Sequence, residues 1–203
     1  MIISKKVLIT TVPFGEKNRA PLDMLESNNI DYVINPFNKK LTESELEGLI
    51  SDFDVVIAGT EQITSKVMDA ASNLKLISRV GIGLDSVDLL KAEKLDIAVS
   101  YTPDAPAPAV AELTVGMMLT LLRSVHVSNS QMHLGKWHRF FGKRLSEVTI
   151  GIIGIGRIGK GVLEHLKGFG NPKILVNDVS IKDDISNKFN VEWSSKEEIY
   201  KQS

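Results

Sequence analysis

Gly154, Gly156 and Gly159 stand in the order G-x-G-x-x-G, directly after the apolar run Val148 to Ile153 (VTIGII). Glycines at that spacing, between a strand and a helix, suit the holding of a pyrophosphate. The first allows a tight turn, the second lets backbone approach the anion, and the third lets the helix pack against the strand. The helix then aims its unpaired N–H groups and positive dipole end at the phosphates. Arg157 and Ile158 line the turn. Asp178 closes the next apolar run, Lys173 to Asp178 (KILVND), nineteen residues past Gly159. A carboxylate there can accept from the adenosine ribose hydroxyls and repels a 2′-phosphate, which favours NAD over NADP.

A second run, Arg79-Val80-Gly81-Ile82-Gly83, follows the apolar residues Leu74 to Ser78 (LKLIS). Its glycines allow backbone to come close to an anion, and Arg79 can add a charge-assisted contact to a carboxylate or phosphate. The residues alone fit equally well a strand-end turn with a solvated arginine. His126, His133 and His138 show no recognisable base–acid spacing and read as surface or interface residues. The chain has no cysteine, so disulfides, thiolate zinc sites and cysteine nucleophiles are excluded. No residue is assigned a catalytic or metal-binding role.

These candidates need a scaffold, and the chain supplies alternating strands and helices. Strand-like runs are Val7 to Thr11, Tyr32 to Ile34, Val55 to Ala58, Leu74 to Ser78 and Ile97 to Ser100. Between them, helices are expected from Pro21 to Ser27, from Thr42 to Ile50, from Thr64 to Ala71 and from Ser86 to Lys94. Thr42 and Glu45 form a T-x-x-E capping box, and Ser86 suits the N-cap of the last of these helices. Such alternation implies a parallel sheet covered on both faces. Pro103, Pro106 and Pro108 then form a stiff connector, placing a boundary between a 1–102 domain and a 103–203 domain. An apolar helix is expected over 109–125, and further helices from Arg157 to Gly168 and from Ser194 onward. The formal net charge is -1 over 203 residues, which leaves no electrostatic footprint for nucleic acid or an anionic membrane. The longest apolar run, Leu113 to Leu122, is too short to span a bilayer, and the N-terminus MIISKKVLITT reads as a short strand without a secretory signal. A cytoplasmic protein is expected.

The run Ser78 to Asp88 (SRVGIGLDSVD) resembles the R-x-G-x-G-x-D-N-x-D loop of the NAD-dependent D-2-hydroxyacid dehydrogenase family. Thr102-Pro103, then Val110 to Thr114 (VAELT), resemble its hinge and interdomain helix, and Gly135-Lys136-Trp137 and the glycine fingerprint follow in order. By these motifs the phosphoglycerate dehydrogenases are the most similar members. The resemblance implies an α/β fold with a flavodoxin-like substrate domain and part of a Rossmann NAD-binding domain. It implies hydride transfer between a small 2-hydroxy or 2-oxo acid and NAD. The loop Arg79, Val80, Gly81, Ile82 and Gly83 would hold the substrate carboxylate, largely through backbone N–H groups. Gly154, Gly156, Arg157, Ile158, Gly159 and Asp178 would hold NAD. A homodimer through Leu113 to Leu122 and Trp137 is implied as well.

The sequence also departs from the family pattern. Pro106 and Ser86 stand where members often carry asparagine. The family's catalytic arginine in A-R-G, its glutamate and its histidine in H-x-x-G are not matched. His165-Leu166-Lys167-Gly168 fits the last string, yet it falls inside the helix after the glycine loop. Only the first two Rossmann strands are expected, leaving the strand Thr149 to Ile153 with an apolar edge that invites pairing. The chain is therefore expected to be a truncated piece, inactive alone. A short product with a partner-covered edge and a degenerate product remain open. The alternative function is a non-catalytic dinucleotide-binding or dimerisation module.

Overall fold

The computed structural model describes residues 5–203, so the first four residues of the N-terminal stretch lie outside the described residues. The chain divides into two compact units, Met1–Ala105 and Pro106–Ser203.

The first unit is built from β1 (Lys6–Ile9), α1 (Ala20–Ser27), β2 (Asp31–Ile34), α2 (Glu43–Leu49), β3 (Val55–Ala58), α3 (Ser65–Ala70), β4 (Leu76–Arg79), α4 (Leu89–Lys94) and β5 (Ala98–Tyr101). All strand pairs are parallel, in the order β2-β1-β3-β4-β5. That is the flavodoxin-like order, which the alternation of short β-branched runs with helices anticipates. The central strands carry apolar residues toward both layers: Leu8 and Val56 pack in one core and Val7 and Ile9 in another.

Caps decide where the helices start. Thr42 accepts from the Glu45 N–H, and the Glu45 carboxylate accepts in turn from the Thr42 N–H at 2.9 Å. Thr64 caps α3 in the same manner, accepting from the Val67 N–H. The helix expected to begin at Ser86 starts later: Asp88, not Ser86, is the N-cap of α4, accepting from Lys91 N–H at 3.0 Å. The Ser86 carbonyl accepts from Ile63 N–H at 2.7 Å and Val87 bridges to Ile63, which holds this stretch out of the helix.

The second unit contains α5 (Ala107–Leu122), α6 (Val125–His133), β6 (Thr149–Ile153), α7 (Arg157–Leu166), β7 (Lys173–Asn177), α8 (Asp183–Lys188), β8 (Glu192–Trp193) and α9 (Lys196–Gln202). Its sheet is parallel, in the order β6-β7-β8. Two Rossmann strands are expected from the sequence, and the structure adds β8 as a third. At two residues it is too short to leave a periodic signal. The helix expected over 109–125 ends at Leu122, because Ser124 adopts φ 50° and α6 starts afresh. α5 buries Ala107, Ala111 and Val115. Among the described residues no single helix is long and apolar enough to cross a membrane; α5 and α6 reach that composition only together, bent by 65°.

Hydrogen bonds from Lys39 and from Thr42 hold the Glu45 carboxyl at about 2, against an ordinary 4.5. A carboxyl depressed by folding contributes stability that is complete above its unfolded value and lost as pH falls through the folded one. Glu45→Gln should therefore reduce stability at neutral pH and flatten the loss between pH 4.5 and about 2. Denaturant titrations across that window check it; an unchanged pH slope would sink it.

Candidate functional site

The glycine turn begins where β6 ends. Gly154 has φ +95°, a left-handed region that side chains rarely adopt, and its N–H donates to the Asn177 carbonyl at 2.8 Å. Gly159, in the first turn of α7, is buried, and a Cβ there would collide with the Gly154 carbonyl oxygen. Strand and helix approach this closely only because residue 159 has no side chain.

Gly156 differs from both. Its φ of −85° suits any residue, and a Cβ there would meet nothing within 4 Å. Neither backbone conformation nor packing inside the chain calls for glycine at 156. An open face on a backbone that heads α7 is what a closely approaching pyrophosphate needs, so the loop fits a dinucleotide. Arg157 opens α7 and Ile158 follows it, half-buried.

Asp178 follows β7 directly. Its Oδ2 accepts from Ile155 N–H at 2.9 Å and its Oδ1 from Val179 N–H at 2.6 Å. Lys182 Nζ also donates to Oδ2 and, at 2.9 Å, to the Ile155 carbonyl. The lysine first, then the Val179 and Ile155 amides, hold the carboxyl below the usual aspartate range. The acid is therefore ionised at neutral pH and tied to the middle of the glycine turn. Lys182 is absent from the sequence-based site; a lysine four residues after an acid on an irregular segment has no distinctive spacing.

In the first unit, Arg79 ends β4 and is only 9% exposed. Its Nη1 donates to the Val80 carbonyl, its Nε has no partner, and no carboxylate pairs with it among the described residues. The guanidinium folds over Gly81, which has φ +147°; a Cβ on Gly81 would collide with Nη1. The loop was expected to present its backbone N–H groups broadly, and the structure narrows that set. Val80 N–H donates to Ala58 O at 2.8 Å and Gly81 N–H to Thr102 Oγ1 at 2.8 Å. The N–H groups of Ile82 and Gly83 have no partner among the described residues. Arg79, Ile82 and Gly83 thus form the part of the loop open to an anion.

Val80 also lines a cavity of about 130 Å³ with Thr10, Thr11, Lys40, Gly59, Thr60 and Glu61. Glu61 is 2% exposed and accepts from Thr10 Oγ1 and, at 2.9 Å, from Gly59 N–H. Sequence reasoning missed it, since A-G-T-E at a strand end reads as a solvated turn. The histidines do not gather at either loop. His126 and His133 lie on α6, His133 bonding the Asn129 carbonyl at 2.9 Å, and His138 packs edge-on to Phe140. His165 sits on the exposed side of α7. No group of three or more histidine, aspartate or glutamate residues could hold a metal ion among the described residues.

A flavodoxin-like unit with an arginine–glycine loop, followed by a unit with a glycine fingerprint, defines a two-unit α/β protein. Residues 7–202 match the family model described as D-isomer specific 2-hydroxyacid dehydrogenase, catalytic domain, and the chain belongs to that family. It is 35% identical over 169 residues to a hydroxypyruvate reductase of Thermotoga maritima, a match covering 82% of this chain and 54% of that protein. It is 38% identical over 156 residues to a D-3-phosphoglycerate dehydrogenase of Methanocaldococcus jannaschii, covering 75% of this chain and 29% of that one. A solved protein from Thermus thermophilus superposes with a TM-score of 0.83 at 28% identity, over 98% of this chain and 62% of that chain. A D-lactate dehydrogenase from Aquifex aeolicus, solved with NAD and lactic acid, shares the fold at a TM-score of 0.80 and 24% identity, over 98% and 58%. The chain thus spans about half the length, or less, of the curated relatives it matches.

The two glycines separate packing from an open face. Gly159→Ala should cost about 2–3 kcal/mol, since backbone must move to admit the methyl. Gly156→Ala should cost under about 1 kcal/mol, the N-cap preference of glycine over alanine. Equal losses in equilibrium denaturation would contradict the assignment.

Proposed function

We propose that this chain supplies the substrate-anchoring part and the adenosine half of the cofactor site of an NAD-dependent oxidoreductase acting on small 2-hydroxy acids. In this reading residues 1–102 form the substrate domain and 103–203 the cofactor domain. The observation that carries it is the turn at Gly154–Gly159, with an open face at Gly156 and Asp178 bonded to its centre.

Each group has a definite task. Arg79 and the N–H groups of Ile82 and Gly83 bind and orient the substrate carboxylate, and a buried guanidinium without a carboxylate gains most from an arriving anion. Gly154, Gly156, Arg157, Ile158 and Gly159 seat the pyrophosphate, and Asp178 takes ribose hydroxyls. When bound, NAD supplies the hydride acceptor for the C2 carbon of the acid. Removing the hydroxyl proton needs a base, and no histidine among the described residues pairs with a carboxylate to serve as one. We assign that step to residues beyond this stretch, so the 203-residue chain should bind without turning over.

Isothermal titration with a 2-hydroxy acid and NAD, beside an absorbance assay for NADH, tests this. Binding of both with no NADH formed is expected. Arg79→Met should weaken the acid roughly tenfold or more, as loss of a charged hydrogen bond implies, and leave NAD unaffected. Measurable oxidation of a 2-hydroxy acid by the chain alone would overturn the division of labour.

A homodimer is the second element of the proposal. Val110, Leu113, Met117 and Leu121 are exposed along α5, and Trp137 and Phe141 are exposed after α6. An apolar stripe on this scale is what an interface between copies covers. Light scattering at micromolar concentration should give twice the chain mass, and Leu113→Glu with Met117→Glu should return it to the monomer value. A wild-type monomer would refute this element.

A further inference from the structure

The segment after β7 places a cation on the acid that is meant to receive the ribose. Asp178 already accepts from Ile155 N–H, Val179 N–H and Lys182 Nζ. An ionised carboxylate offers about four lone-pair sites, so about one is left. A ribose that engaged Asp178 through both hydroxyls would have to displace a donor. The two amides are fixed by the glycine turn and by the chain itself. Lys182, on a flexible side chain, is the donor that can move, giving up its bonds to Asp178 and to the Ile155 carbonyl.

The exposure of the pair sets the order in which a ligand meets it. The Lys182 side chain is 30% exposed and that of Asp178 11%, so the lysine is the more accessible member of the pair. Other charges do not cancel it. Asp184, at the start of α8, pairs with Lys160 at 2.9 Å, and Asp183 beside it makes no ion pair with Lys182. An acid at this place ordinarily excludes a 2′-phosphate by like-charge repulsion, whereas a basic side chain admits one. This site carries both.

We infer that Lys182 is a specificity-determining residue that makes the ribose end of the site tolerant of a 2′-phosphate, so that NADP is accepted beside NAD. The inference rests on the cofactor site proposed above. Asp178 keeps its contact with the Ile155 amide, and Lys182 turns from the acid to the incoming phosphate.

Titration calorimetry with ADP-ribose and 2′-phospho-ADP-ribose tests it, because both ligands need only the adenosine half of the site. The wild-type chain should bind the two within about tenfold of each other. Lys182→Met should weaken the phosphorylated ligand by about tenfold or more and leave ADP-ribose nearly unchanged, while Lys182→Arg should retain both. ADP-ribose bound with the phosphorylated ligand rejected by more than about a hundredfold overturns the inference and leaves the cofactor site standing. So does an unchanged ratio in Lys182→Met. Failure of both ligands to bind the wild-type chain removes the cofactor site itself.

Discussion

The Gly154 carbonyl oxygen occupies the space into which any side chain on residue 159 would project. That close approach brings the start of α7 against the end of β6 and fixes the turn between them. From the turn, Gly154 N–H reaches the Asn177 carbonyl and Ile155 N–H reaches the Asp178 carboxylate. The position of the acid is thus set by the same backbone that exposes Gly156. Were the helix to start even slightly farther off, the amides and the carboxylate would lose their common geometry together.

Glycine does a different job in the first unit. Gly81 is required by the chain's own arginine, whose guanidinium lies over it, and not by an open face. The arrangement holds a cation in a mostly buried place with its Nε unpaired. Stable proteins rarely leave such a group without compensation. Two of the loop amides are spent bracing it to β3 and to Thr102, and the other two lie free beside it.

Much of this was legible in the sequence, for identifiable reasons. Val55 to Ala58 is a continuous apolar run rich in β-branched residues, and β3 has those same bounds. The Thr42–Glu45 box declares α2 because two orphan backbone groups need two side chains at a fixed spacing. Where reading failed, tertiary contacts chose among locally equal options. Ser86 and Asp88 are both good caps, and the bridge between Ile63 and Val87 selected Asp88. Ser124 enters a left-handed conformation without glycine or asparagine to announce it. The burial of Glu61 and the reach of Lys182 to Asp178 depend on where separate strands end, which periodicity does not encode.

The three strands β6, β7 and β8 are neighbours in space in the order in which they occur in the chain. The turn, the acid and its lysine all fall between Thr149 and Lys182. Closing one short crossover therefore brings them together, and loop entropy rises only slowly with length. The glycine turn, the acid and its lysine accordingly come together within one βαβ crossover, without needing distant parts of the polypeptide.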